Sequence, residues 1–284
     1  MATRAAKATE ANSVEITAIA TRVIAFNIVG TTPLIMHRYS RKAWEELLLP
    51  SRKKNQAAKD ASLKHDPLNE YRESCYVSRS DDAPTLFHLP TGMIHGAVKS
   101  AALDMAGARK TEVGRWVSVS GSNTLFLYGV PQLYTAMARN SGMDRTPDVR
   151  TRAIFPQWAL SGVALDFKLD PLTDASVLNL MAAAGVTVGL GDWRPQRGGS
   201  FGKFRLCNDD DPEFQRIIMA QGRGPQQAAY ADPDFFDDDT RDINLWFREE
   251  IQRRDRELPS DSLKKAPARK LNGHGDEKIL GRYE

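Results

Sequence analysis

The order of hydrophobic periods in the first 207 residues restricts the fold of this chain more than any other feature. Residues 14–29 alternate polar and apolar positions as a β-strand does, with Ile16, Ile19, Val23, Ile24, Phe26 and Ile28 as the apolar members, and Gly30-Thr31-Thr32-Pro33 ends the run. Residues 86–90 read as a short strand, Thr91 or Gly92 as a cap, and 93–106 as an alanine-rich helix. Gly96, Ala97, Ala101 and Ala102 leave one flank of that helix thin enough to lie close against a sheet. Residues 124–130 and 162–169 are strand-like and are expected to pair around an irregular stretch at 131–156. A helix at 175–184 ended by Gly185, then a glycine-loop hairpin of 186–190 with 203–207, complete the series. The pattern is strand, helix, strands, helix, strand.

Shorter signals fill the rest. Ser40 is placed to cap a helix over 40–49 with Trp44, Leu47 and Leu48 on one face, and Asp66-Pro67 opens another through Ser74. Residues 75–78 have the character of a strand beginning, and 50–64 read as a basic loop or insertion. Beyond Asp209 the chain changes character: a helix at 212–221, a loop-like 222–239, an amphipathic helix at 243–256 with Ile243, Trp246, Phe247 and Ile251 on one side, and a charged arm from Pro259. The expected division is a flexible tail at 1–13, a palm at 14–207 with insertions at about 50–85 and 131–160, and a C-terminal extension at 208–284 made of acidic linker, helix and arm.

The formal net charge of +3 hides a strong segregation of charge. Residues 38–64 hold eight Lys/Arg against Glu45, Glu46 and Asp60, whereas residues 209–239 hold nine acids against Arg216 and Arg223. A basic first third points to an anionic ligand, and the acidic run suits a basic surface on a neighbouring copy or plain solvation. No run approaches the roughly 20 apolar residues of a membrane span and the start lacks an apolar signal core, so a cytoplasmic protein with no membrane partner is expected. Cys75 and Cys207 stand far apart with no ligand spacing around either, which suggests neither a disulfide framework nor a metal site.

The chemistry concentrates in residues 185–206. This glycine-studded stretch carries Arg194, Arg197, Lys203 and Arg205 beside Trp193, Phe201 and Phe204. Glycines allow close backbone approach, cations meet phosphates, and aromatic faces stack on bases. The common mononucleotide loops are excluded by their own spacing: Gly202-Lys203 is followed by Phe204 in place of Ser/Thr, and Gly189-Leu190-Gly191 lacks the third glycine at Arg194. A polymer fits this composition better than a mononucleotide, and no cofactor is implied.

Two segments in the right order resemble a known family. Residues 89–102, with Pro90, Gly92, Gly96-Ala97 and Lys99, are similar to the proline, small-residue, Lys-Gly-Ala-helix signature of the RAMP superfamily, and 185–206 resembles its glycine-rich loop. Together with Gly30-Thr31-Thr32-Pro33 they look most like the repeating, guide-RNA-binding backbone subunit of CRISPR effector complexes, or a phage-borne single-subunit relative. The order Met93-Ile94-His95-Gly96-Ala97-Val98-Lys99 departs from the family's usual serines before the lysine. The resemblance implies an α+β fold: a ferredoxin-like, RNA-recognition-type palm with an antiparallel sheet, inserted loops, a thumb near Arg139, Arg145, Arg150, Arg152 and Trp158, and a helical C-terminal extension. It also implies a homo-oligomer along a guide RNA, presented for pairing with a single-stranded target.

The candidate nucleic-acid contacts are Arg38, Arg41, Lys42, His95, Lys99, Arg150, Arg152, Trp193, Arg194, Arg197, Phe201 and Lys203. His95 and Lys99 belong to the front of the 93–106 helix, where a positive helix terminus favours phosphate, with Arg194 and Arg197 expected opposite. Some members of the resembled family cut RNA, which makes Asp60 or Asp66 candidate acids of a metal-dependent ribonuclease. His37 and His95 are candidate acid and base for metal-free cleavage. A phage-type single-strand DNA binding or annealing protein uses the same kind of groove.

Overall fold

The computed structural model describes residues 18–49, 65–139 and 147–257, and the expected tail at 1–13, the 50–64 loop, Asp60, Arg145 and the arm from Pro259 lie outside them. The chain forms two compact units, residues 1–50 with 65–241 and residues 51–64 with 242–284. In chain order the elements are β1 (Thr21–Gly30), β2 (Leu34–Ile35), α1 (Arg41–Leu48), α2 (Pro67–Glu73), β3 (Phe87–Pro90), α3 (Thr91–Ala101), α4 (Lys110–Trp116), β4 (Val117–Val119), β5 (Thr124–Tyr128), β6 (Gln132–Arg139), β7 (Pro147–Phe155), β8 (Ala159–Lys168), α5 (Asp174–Ala183), β9 (Phe204–Cys207), α6 (Pro212–Ala220), α7 (Arg223–Ala231) and α8 (Asp238–Glu257). Of the second unit, the described part is the stretch of α8 from Asp242 onward, where Glu250 is paired along the helix with Arg253 and Arg254.

The fold class is the expected α+β. The main sheet has the order β3-β5-β8-β1-β9, and every pairing in it is antiparallel. With α3 between β1 and β5 and α5 between β8 and β9, this is a ferredoxin-like β-α-β-β-α-β unit, extended at one edge by β3. The short β4 pairs with the far end of β8, through Val117 opposite Phe167.

Alternation along the strands divides the palm into two faces. Phe26 and Ile28 of β1 and Val163, Leu165 and Phe167 of β8 pack on Ile94, Ala97, Val98 and Ala101 of α3 and Val177, Leu180 and Met181 of α5. Ala97, Ala101 and Ala102 therefore do the work read from them, whereas a Cβ on Gly96 would meet nothing within 4 Å, so Gly96 is not part of the close flank. On the opposite face Val29, Ala159 and Cys207 meet Phe214 and Ile217 of α6, so the C-terminal extension begins as part of the palm. Both cysteines are free and buried. Asp211 caps α6, accepting from the Glu213 and Phe214 amides at 3.1 Å, and its carboxylate also receives the Arg205 guanidinium of β9 at 2.6 Å.

Three expectations are corrected. Residues 131–156 are not irregular: they contain the β6–β7 hairpin, with Gln132 opposite Ile154 and Arg139 opposite Pro147. Leu133 and Ala153 near its base are buried whereas Met137 and Val149 are 71% and 41% exposed, so the outer part carries none of the buried alternation that marks a core strand. Residues 186–190 are not one arm of a hairpin, because α5 runs on as a π turn over Ala184–Val188. Gly185 does not stop the helix; it lets the backbone pass Phe204, whose carbonyl oxygen would stand 2.1 Å from a Cβ there. Residues 222–239 are not all loop, since α7 occupies Arg223–Ala231. Gly222, Gly224 and Pro225 imitate a turn, but a proline in the first helical turn removes an amide that has no intrahelical partner.

α7 is tied to the palm by Arg223, by the Tyr71 hydroxyl and the Arg72 guanidinium, which donate to its last carbonyls, and by one fully buried side chain. Gln226 is fully buried; its Oε1 accepts from the Leu86 amide at 2.7 Å, and its Nε2 donates to the Leu127 and Gly129 carbonyls at 2.8 and 2.9 Å.

The β6–β7 hairpin joins β2 in a second sheet of order β2-β7-β6. Both of its edges are occupied along the inner half. On the β7 side, the Thr151 amide donates to Glu70 Oε2 at 3.1 Å and the Ala153 amide to Ser74 Oγ at 2.9 Å, so α2 and the residue after it supply side chains where a strand would otherwise add backbone. On the β6 side, the Leu133 amide donates to the Asp234 carbonyl at 2.8 Å and the Thr135 amide to Thr240 Oγ1 at 3.2 Å. Such capping is how natural sheets blunt exposed edges.

Candidate nucleic-acid interface

The glycine-rich loop returns from the π turn to β9 over residues 189–203 and is pinned to the β1–β2 turn by backbone bonds. The Gly202 amide donates to the Pro33 carbonyl at 2.7 Å and the Asp192 amide to the Ile35 carbonyl at 3.0 Å, while Lys203 N–H meets Thr32 Oγ1 at 2.9 Å. Gly202 has φ +70°, and a Cβ there would stand 1.9 Å from the Leu190 carbonyl oxygen, so the loop closes only with glycine at this position.

At the loop's centre Trp193 adopts φ +49°, a left-handed conformation that is costly for a bulky residue. It is braced: the Trp193 carbonyl accepts the Phe201 amide at 3.1 Å, and Gly199 passes so near that carbonyl that any side chain would collide with it. The conformation sets the indole edge-on to Tyr134 of β6, ring centroids 6.4 Å apart, and beside Phe201 at 6.4 Å. Tyr134 also meets Phe201 at 6.3 Å and Phe236 at 5.4 Å, which makes it the hub of an aromatic cluster.

Cations flank the cluster. Strand register sets Tyr134 opposite Arg152, Ala136 opposite Arg150 and Ala138 opposite Asp148, so one face of the hairpin is a lane of small residues beside two arginines. Ile35, Tyr134, Ala136, Ala138, Arg150, Arg152 and Trp193 line a shallow recess there, with room for no more than about 10 Å³ of enclosed space. Arg152 is nearly buried and ion-paired with Asp192 of the loop, which ties hairpin to loop at the recess. Its buried charge requires such a partner. Arg194 is turned back on the loop, donating to the Gly191 carbonyl at 2.8 Å, and Arg197 is exposed in the short 3-10 turn Pro195–Arg197.

His37 follows β2, two residues after Ile35 of the recess. β2 pairs with β7 as far as Ile35 opposite Ile154, and the Met36 amide then donates to the Ala153 carbonyl at 3.0 Å just before His37. Water reaches the ring, yet the chain crowded around it, and then Arg152 and Arg150, lower its pKa, opposed by Asp192.

The structure thus brings together His37, Arg150, Arg152, Trp193, Arg194, Phe201 and the backbone of Lys203. It places the other candidates elsewhere. His95 Nε2 lies 3.2 Å from the Gly114 carbonyl and the Lys99 stem lies over Gly114, so both residues of α3 face α4. That separates His95 from His37. Arg38 donates its amide to the Ser74 carbonyl and lies near Tyr76 and His88, and Arg41 is paired with Glu45 within α1 at 2.9 Å; Lys42 follows it in the same helix. Asp66 is the N-cap of α2, accepting from the Asn69 amide at 3.2 Å. Trp158 is a core residue, its indole donating to the Thr32 carbonyl at 2.8 Å. Among the described residues no group of three or more His, Cys, Asp or Glu is arranged to hold a metal ion, and no helix is long and apolar enough to cross a membrane.

Tyr134, Asp192 and Phe236 were missed from sequence. Asp192 lies inside the glycine-rich segment as an acid among cations, and only its pairing with Arg152 gives it a place in the site. Tyr134 was legible from the alternation of residues 132–139, once these are taken as a strand. Phe236 had no local signal.

No protein-family model matches the sequence, and no curated protein matches it. Among solved structures the chain is similar to a chain of the type III-B Cmr-beta complex bound to cognate target RNA, determined by cryo-EM. The TM-score is 0.34 at 15% identity, over 66% of this chain and 59% of that one. A likeness of this size speaks for neither family nor function.

Proposed function

We propose that this chain binds single-stranded nucleic acid, RNA first, across the face shared by the β6–β7 hairpin and the 189–203 loop. The finer form of the proposal is a guide-RNA-binding subunit that assembles with further copies along the RNA and presents it for pairing, with no chemistry of its own. The observation that carries the binding reading is Trp193: a tryptophan held at positive φ by two close backbone approaches, on a rim that also holds Arg150 and Arg152. Strain of that kind accumulates where function demands a particular side-chain placement. An indole and arginines over a lane of alanines suit a strand that lays bases on aromatics and phosphates on guanidiniums, without reading sequence.

The test is direct. Fluorescence anisotropy with a labelled twelve-nucleotide oligo(U), oligo(dT) and a duplex of equal length should rank single strands above duplex and RNA above DNA. Trp193→Ala should weaken the single-strand complex while leaving the far-UV spectrum unchanged. Equal affinity for duplex, or no effect of Trp193→Ala, rules the reading out. Sequencing nucleic acid that copurifies with the native protein tests the finer form: a defined RNA supports guiding, and heterogeneous DNA supports an annealing protein.

A further inference from the structure

We infer that the open groove between the base of the β6–β7 hairpin and α7 takes up the cationic segment at residues 263–271 of a second copy of this chain. This goes beyond the single-strand reading and does not depend on it. The groove has a volume of about 670 Å³, within the range of clefts that hold ligands. Pro131 and Pro156 stand on its hairpin side, Pro225 and Ala228 on α7, and Asp232 and Asp234 on the segment that follows. That segment is fixed to β6, because the Leu133 amide donates to the Asp234 carbonyl at 2.8 Å and the Phe236 amide to the Leu133 carbonyl at 3.0 Å. The two aspartates are therefore mounted on a held backbone. Both are exposed, and among the described residues neither carboxylate has a hydrogen-bonding or ion-pairing partner.

The chemistry of the walls selects the occupant. Proline carries no N–H and a carboxylate only accepts, so the lining is poor in donors and rich in acceptors. The cation at the rim, Arg216, is taken up by Gln157 Oε1 at 3.0 Å. Two carboxylates repel a phosphate strand and attract a peptide that brings its own cations. Residues 263–271 carry Lys264, Lys265, Arg269 and Lys270 with no acid among them, around an Ala266-Pro267-Ala268 centre as small as the proline and alanine it would lie on. Groove and segment are different surfaces, so each copy offers one of each. Such a contact is head-to-tail, and copies joined this way can extend into a chain.

The test is sedimentation velocity on the nuclease-treated full chain, so that no nucleic acid bridges the copies. Wild type should self-associate as its concentration is raised. The groove variant, Asp232→Asn with Asp234→Asn, should stay monomeric with an unchanged far-UV spectrum, and so should the segment variant, Lys264→Ala, Lys265→Ala, Arg269→Ala and Lys270→Ala together. An equimolar mixture of the two variants should form a pair that neither forms alone, since each keeps the half that the other lacks. A labelled peptide of residues 263–271 should bind the segment variant, about three- to tenfold more weakly once both aspartates are also changed, and less as salt is raised. Self-association that survives in either variant, a mixture that stays monomeric, or a wild type that is monomeric throughout overturns the inference. Tighter binding of a peptide of residues 52–64, the other basic stretch, overturns it too by giving the groove to a different segment.

Discussion

A Cβ on Gly199 would lie 1.7 Å from the carbonyl oxygen of Trp193, so these two residues fit together only because one of them has no side chain. Gly199→Ala must push the loop apart at the point where the indole is set. The expected result is loss of oligonucleotide affinity comparable to Trp193→Ala, about 1–3 kcal/mol for each base that stacks there, together with a lowered thermal midpoint, because the clash is with backbone and the loop has to move. Anisotropy and calorimetry on the same samples check both halves.

Trp193→Gly should separate stability from binding. Glycine relieves the positive φ at this position, which favours the native loop by up to about 1 kcal/mol, offset by the freer unfolded chain. Binding falls because the stacking face is gone. A variant that keeps its urea midpoint and loses the oligonucleotide is the expected outcome; loss of both would mean the indole is chiefly a packing residue.

The electrostatic share of binding is read from salt. Arg150→Ala and Arg197→Ala should each reduce the slope of log affinity against log salt by about one if each arginine meets one phosphate, and by nothing if it meets none. Arg152→Ala is the poorer test, because it strands Asp192 and loosens the tie between hairpin and loop.

Gln226→Ala removes five hydrogen bonds from a fully buried position and leaves the Leu86 amide and the Leu127 and Gly129 carbonyls without this partner. The expected loss is about 2–4 kcal/mol of global stability, seen as a lower urea midpoint. Gln226→Glu is expected to be at least as damaging, since it loses the donor and buries a charge.

Asp211 gives a pH test of the join between β9 and α6. The Arg205 guanidinium, with the Phe214 and Glu213 amides, holds its carboxyl down at about 2. A folded value below the unfolded one contributes stability that is complete above the ordinary carboxylate range, near pH 4, and is lost as pH falls toward about 2. Asp211→Asn should flatten that part of the acid limb of thermal midpoint against pH, and the difference from wild type should shrink at the acid end.

Much of the palm was legible because its signals are local. Ser40 caps α1, Asp66-Pro67 opens α2, and Pro212 opens α6, each within a residue or two of the expected start. The pairing of β5 with β8 around an excursion followed from the two flanking alternations. The excursion itself was illegible because a hairpin that stands away from the core exposes the residues that would mark it. The π turn was hidden for the opposite reason: Gly185 looks like a stop from sequence, and only the proximity of Phe204 shows why it is there. The site was half legible. Composition found the loop, but the convergence of Trp193 with Tyr134 and of Arg152 with Asp192 depends on a fold that brings positions about 40 to 60 residues apart into contact.

Glu70, Ser74, Asp234 and Thr240 occupy the margins of the hairpin's inner half. A foreign strand arriving there finds no vacant backbone to zip onto. Whatever attaches at that level must come broadside, meeting side chains alone, and the hairpin discriminates by what it wears on its surface.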